Sequence, residues 1–299
     1  MMHDLWLLLC STLSRVPAAC GDRGTTCFRL VGNAFKRHSK TTAITIWLRS
    51  LGAEQLHNVS MPDQIALLCL LQPASLAKQE RCLDLLRRAA RLYYRGPESQ
   101  CTAWTYFLPY PSPKTQGDEL IIGGLEIYTS KTALQAQLED PVFFQPYHDT
   151  VKREGLYRHP EELVAWYYAA GFVARGEHSE RSLSALISVS RMICSDKTQV
   201  LDLLGRFSVW VKDNEPDVLT YVAFQRPKAP KDVLLFVRYR DDHAMKAHSA
   251  ASEHVQIVKQ LSKLLEGNLG KGTTIWKEIE ESFVSTIPGG DESIAPSKL

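Results

Sequence analysis

The feature that most limits how this chain can fold is an internal repeat. Leu83-Asp84-Leu85-Leu86 returns as Leu201-Asp202-Leu203-Leu204, an offset of 118 residues. The same offset carries Pro109 onto Pro227 and Tyr106 onto Phe224. Farther on, Tyr128-Thr-Ser-Lys-Thr-Ala133 matches Tyr239-Arg-Asp-Asp-His-Ala244 at an offset of 111, so the second copy is seven residues shorter in between. Identity at a few positions is a weak signal; agreement of the whole element order is the stronger one.

In the first copy, Ile65–Leu71 reads as a short apolar strand and 76–95 as a helix, with Cys82, Leu85, Leu86, Ala89 and Tyr93 on one stripe. Cys101–Leu108 alternates as a strand with Trp104, Tyr106 and Leu108 on one face. A Pro/Gly-rich loop over 109–118 leads to a strand over Leu120–Tyr128. Ser130 can cap a helix through about Glu154, interrupted near Pro141 and Pro146, and Leu163–Ala174 closes the unit as a strand. The second copy predicts strand 183–192, helix 197–213, strands 218–225 and 232–240, helix 242–266 and strand 273–285. Each copy is β-α-β-β-α-β, the ferredoxin-like split unit. Such a sheet carries helices on one face and must cover the other. The expected fold class is therefore α+β: two tandem ferredoxin-like units forming an intramolecular pseudo-dimeric α/β barrel.

The domain reading follows from where the pattern starts and stops. Residues 61–176 and 183–286 are the two units, 177–182 is a polar linker, and 287–299 is a flexible Pro/Gly-rich tail. Residues 1–60 hold no sustained period and are expected to be a poorly packed extension. Leu5–Cys10 superficially resembles a secretory leader, but the segment holds Asp4, lacks a leading Lys or Arg, and has a short apolar run. The first sixty residues carry seven Lys/Arg against three Asp/Glu, while the whole chain is at +2, which makes no case for a nucleic-acid partner. Arg81, Arg87, Arg88, Arg91 and Arg95 lie among Glu80 and Asp84, a solvated helix face rather than an anion site. No apolar run reaches the ~18 residues of a spanning helix, so no integral membrane segment is expected. Seven scattered cysteines without a C-x-x-C argue against a disulfide framework or a structural zinc site. Ser297-Lys298-Leu299 is the receptor-read peroxisomal address, so the peroxisome is the expected location and its import receptor an expected partner; without that signal the location is cytoplasmic.

These residues resemble the antibiotic-biosynthesis-monooxygenase superfamily, the dimeric α/β barrels, in its fungal tandem form. The resemblance spans about 64–286. In the first copy it is carried by Gly124-Leu-Glu-Ile-Tyr-Thr-Ser-Lys-Thr-Ala-Leu134, Leu138-Glu-Asp-Pro-Val-Phe-Phe144 and Tyr147-His148. In the second it is carried by Thr220–Pro227, Phe236–Tyr239, Ala247-His248 and Trp276–Phe283. It implies a cofactor-independent monooxygenase, with molecular oxygen as co-substrate and no resident cofactor. The substrate would be a hydrophobic polyketide-type metabolite, aromatic or polyene, oxygenated or oxidatively cleaved in fungal secondary metabolism. A non-catalytic barrel that binds such a metabolite, or serves as a scaffold, stands as the alternative. Further self-association is left open. No nucleotide fingerprint competes: Gly270-Lys-Gly fails the P-loop pattern, and no G-x-G-x-x-G or G-x-S-x-G is present.

The chemistry needs an apolar pocket, a proton acceptor and donors for a developing oxyanion. Glu126, His148 and Tyr128 are the candidate catalytic residues. In heme-degrading relatives an aromatic on the third strand and a histidine ending the second helix line the pocket, and Tyr128 and His148 match them, although the relatives usually carry Trp at the first position. Glu126 shares an alternating face with Leu120, Ile122 and Tyr128, against an apolar wall or at a frayed strand end facing water. For His148, a solvated helix-end residue is the bland alternative. Trp104, Tyr106 and His248 are the candidate substrate contacts, with core packing the alternative for the first two. Val237 and Lys259 replace Glu126 and His148 in the second copy, while Tyr239 preserves Tyr128, which points to a pocket in the first half. His243, His248 and His254 are spaced around a helix, so no metal site is expected.

Overall fold

The computed structural model describes residues 64–111, 120–176 and 185–290. The expectations for residues 1–60, the linker 177–182 and Ser297-Lys298-Leu299 lie outside them. The first half runs β1 (Ile65–Leu71), α1 (Leu76–Ala89), β2 (Cys101–Pro109), β3 (Ile122–Tyr128), α2 (Lys131–Leu138), α3 (Phe144–Glu154) and β4 (Glu162–Phe172). The second runs β5 (Leu186–Ile193), α4 (Lys197–Asn214), β6 (Val218–Arg226), β7 (Ala229–Tyr239), α5 (Asp242–Ala250), α6 (Ser252–Leu261), β8 (Thr273–Glu278) and a short β9 (Phe283–Val284).

Within each half the antiparallel strand order is that of the ferredoxin-like unit, β2-β3-β1-β4 and β6-β7-β5-β8. The halves join through β4–β6 and β8–β2, so eight strands close into a barrel, and β9 adds beside β2. Strand alternation divides the apolar residues between two layers. One set, including Phe107, Leu125, Trp166, Phe224, Phe236 and Trp276, fills the barrel. The other faces the helices; in the second half it packs with Val200, Leu204, Phe207 and Val211 of α4. The expected pseudo-dimeric α/β barrel is what forms.

Local chemistry sets the helix ends. Ser130 caps α2 by accepting from Ala133 N–H at 3.0 Å, and Asp241 caps α5 through Ala244 N–H at 2.8 Å. The predicted 130–154 helix is two helices with Pro141 in the gap; Asp140 restarts the chain by accepting from Phe143 and Phe144 N–H at 2.6 and 2.9 Å. Pro146 does not interrupt α3, because it sits in the first turn, where its missing N–H has no intrahelical partner to lose. The predicted 242–266 helix likewise divides at Ala251, whose ψ of 136° is extended. The predicted 273–285 strand ends at Glu278, and Glu281 turns the chain at φ 67° before β9. At the other end, the tail expected from 287 is packed as far as Gly290: Gly289 N–H donates to Cys101 O at 2.8 Å.

The offset of 118 holds for α1 and α4 but fails by one residue in the following strand. Trp104 stands opposite Glu126, and Tyr221 opposite Val237, so Trp104 matches Tyr221 and Tyr106 matches Ala223. Phe224 faces the barrel interior instead. The first half has one residue more between helix and strand, and α1 takes up an extra residue in a π-turn over Ala90–Tyr94.

Candidate active site

Between the sheet and the helices of the first half lies a cavity. Its floor is Leu67 and Cys69 of β1, Trp104 and Tyr106 of β2, Glu126 of β3 and Leu163 of β4; its roof comes from α1, α2 and α3. About 50 Å³ is open to the centre of a water molecule, and the cleft with its solvent-side mouth holds about 610 Å³. The enclosed part has room for roughly four waters, less than the ~150 Å³ of a cavity that takes up benzene, so an aromatic ring bound here extends into the mouth. The matching space of the second half is filled: where Ala89 lines the cavity, α4 carries Phe207, and Val237 stands for Glu126.

Glu126 is the centre of the site. It is 6 % exposed, inside the apolar wall rather than at a wet strand end. Tyr106 OH donates to its Oε1 at 2.5 Å and Tyr128 OH to its Oε2 at 2.6 Å; Cys69 Sγ is 3.9 Å from Oε1. Burial pushes the carboxyl up from its ordinary range while the tyrosine hydrogen bonds pull it down. Both phenols are pushed well up, by burial first and by the Glu126 charge second, so they remain donors. Gly124 makes this geometry possible: it lies opposite Tyr106, and a Cβ there would sit 2.5 Å from the tyrosine ring. The ring lies across bare backbone and its hydroxyl reaches Glu126, two residues along the strand.

A second polar pair closes the far side. His148 lies within α3, not at its end, with Nδ1 3.5 Å from Glu161 Oε1 and both side chains 16 % exposed. Its ring packs on Phe144 and Tyr147 at centroid distances of 4.2 and 5.2 Å. Burial holds the imidazole down to about 4, so it is neutral at physiological pH. Burial raises Glu161 to about 7, and the charge on Glu126 adds to the shift. Two carboxyls thus share one poorly solvated enclosure, with no Lys or Arg among the described residues of its lining. Among the described residues, no group of three or more His, Cys, Asp or Glu is placed to hold a metal ion.

No protein-family model matches the sequence, and no curated protein matches it. Solved structures do. A protein from Lactobacillus acidophilus NCFM, provisionally named a monooxygenase, superposes with a TM-score of 0.59 at 8 % identity over 76 % of this chain and 98 % of its own. A similarly named protein from Fusobacterium nucleatum gives 0.59 at 10 % identity, over 75 % and 95 %. An anthrone oxidase-like protein gives 0.50 at 11 % identity, over 77 % and 95 %. The chain shares its fold with these three proteins. At these identities the likeness is one of fold.

The structure brings Trp104, Tyr106, Glu126 and His148 together on the cavity wall, with Tyr128 buried directly behind Glu126. It does not bring His248 there. That residue lies in the second half, 3 % exposed, with Nδ1 2.5 Å from Glu215 Oε2 and its ring against Phe207, Tyr221 and Tyr239. The break at Ala251 also brings the His254 ring within 4.5 Å of it, which a continuous helix would not do.

Three further lining residues escaped sequence reasoning. Tyr94 emerges from the π-turn to stack on Trp104 at 3.5 Å between centroids. Gln137 donates from Nε2 to Tyr94 OH at 2.5 Å. Glu161 directly precedes β4, outside any periodic segment. The one-residue slip between helix and strand offsets was the available signal for the first. For the second, Gln137 and His248 stand at the same position of α2 and α5, counted from the caps Ser130 and Asp241.

Proposed function

We propose that the protein is a cofactor-independent monooxygenase acting on an electron-rich, hydrophobic, polyketide-type metabolite, with molecular oxygen as co-substrate. The observation that carries this reading is Glu126: a buried carboxylate held at both oxygens by tyrosine hydroxyls, facing a largely apolar cavity that exists in the first half and is filled in the second. A carboxylate raised by burial accepts a proton from a phenol or enol, leaving a substrate anion able to give an electron to oxygen. For a benzylic methylene the balance closes without a reductant: CH2 plus O2 gives C=O plus H2O. Tyr106 and Tyr128 hold the carboxylate, and Tyr106, on the cavity lining, returns a hydrogen bond to the developing anion. Neutral His148, paired with Glu161, is the second proton-handling group on the cavity lining.

The fold likeness to proteins bearing monooxygenase and anthrone oxidase-like names agrees with this reading. The test is oxygen uptake by the purified chain, without added cofactor, on a panel of hydroquinones, anthrones and polyenes. Glu126→Ala and His148→Ala should lose turnover while ligand affinity is kept. A chain that binds these ligands but never consumes oxygen is instead a metabolite-binding barrel.

A further inference from the structure

The lining of the first-half cavity has an asymmetry that the oxygenase reading does not require. Among the described residues its lining carries two carboxyl groups, Glu126 and Glu161, and no Lys or Arg, while Lys152 of α3, off the lining, acts on Glu161 through its charge. A third polar group is present and half unpaired. Gln137 is 2 % exposed and lines the cavity; Nε2 is used by Tyr94, and Oε1 has no hydrogen-bond partner. Leaving a buried amide oxygen unpaired is costly unless a ligand or a water completes it. The other half shows the same position completed internally, where His248 meets Glu215 and aromatic side chains occupy the space. The first half keeps the space open and the acceptor free.

We infer that the cavity selects an uncharged, hydroxylated aromatic ring over its carboxylated counterpart, with Gln137 and Glu161 as the selecting residues. This rests on the proposed oxygenase reading only for the choice of an aromatic ring. A ring hydroxyl donates to Gln137 Oε1 while Tyr94, Trp104 and Tyr106 flank the ring plane. A carboxylate in the same place meets Glu126 and Glu161, and the described lining offers no Lys or Arg to pair with it.

The experiment is calorimetric titration of the full chain under nitrogen, so that binding is read without turnover. The probes are methylhydroquinone, 2,5-dihydroxybenzoate and phenyltrimethylammonium. Methylhydroquinone should bind about tenfold or more tightly than the dihydroxybenzoate, and more tightly than the ammonium probe. Ala89→Phe, which gives α1 the residue α4 has at Phe207, should abolish the heat if the site is this cavity. Glu161→Gln should narrow the gap between the two hydroquinones at least threefold, and Gln137→Leu should weaken methylhydroquinone about tenfold. Gln137→Met is the substitute if the leucine variant does not fold. Equal binding of the carboxylated ring, tighter binding of the ammonium probe, or an unchanged gap in Glu161→Gln overturns the proposal. Selective anaerobic binding with no oxygen uptake would leave it standing and remove the oxygenase reading instead.

Discussion

At the scale of single residues, two neighbouring glycines decide how the site is built. Gly123 and Gly124 leave the β3 backbone bare beneath Phe107 and Tyr106, and a Cβ at Gly124 would stand 2.5 Å from the Tyr106 ring. Gly124→Ala is expected to displace that ring from Glu126 and cost about 1–3 kcal/mol, measurable as a lower urea midpoint. The Glu161–His148 pair makes a pH prediction in which two slopes oppose each other. Glu161 rises from an ordinary 4.5 to about 7, so the folded state binds more protons than the unfolded one, and its contribution is lost as pH rises across that window. His148 falls from 6.5 to about 4, so its contribution is present above 6.5 and lost as pH falls toward 4. Between about 4.5 and 6.5 the two cancel. Glu161→Gln should unmask the histidine: relative to the parent, stability should gain about 2–3 kcal/mol from pH 4.5 to 6.5. Parallel pH profiles for the two proteins would contradict the placement of these groups.

Among the elements, α1 and α4 show how one sequence pattern yields a cavity in one half and a core in the other. Both helices present an apolar stripe, but Ala89 in one is Phe207 in the other. Phe207→Ala is expected to cost about 3–5 kcal/mol, because the ring packs against Trp210, Tyr221 and His248 and its removal leaves a cavity. The stripes, the strand alternation and the order of the elements were all legible, since burial on one face imposes a period that survives any choice of apolar residue. Glu126 was legible as a carboxylate on an apolar face, but its partners were only half so. Tyr106 was matched to Phe224, which faces the opposite layer, because the π-turn shifts register by one and a one-residue shift turns every side chain over. Tyr94, Gln137 and Glu161 carry no periodic signal: each acts at an element's end, where the tertiary approach of a neighbour decides its surroundings.

Across the whole molecule, the halves are tied by more than shared strands. Inside the barrel, Arg238 of β7 grips Glu278 of β8 with two hydrogen bonds of 3.0 and 2.8 Å, and Thr105 of the first half donates to the same carboxylate at 2.6 Å. Both charged side chains are almost wholly buried. Arg238→Met alone should cost about 3–5 kcal/mol, by leaving Glu278 charged and unpaired, and adding Glu278→Leu should recover most of it. A double variant no more stable than the single one would show that the pair does more than satisfy itself. The barrel lies beneath the first-half cavity, and the proposed chemistry rests on what that cavity does with a proton. The most direct measurement is oxygen uptake by the purified full chain, without added cofactor, beside its Glu126→Gln variant. The account predicts uptake with a hydroquinone- or anthrone-type substrate, and a fall of about a hundredfold or more in kcat for Glu126→Gln with ligand affinity kept. No uptake across the panel, or wild-type turnover in Glu126→Gln, would contradict it.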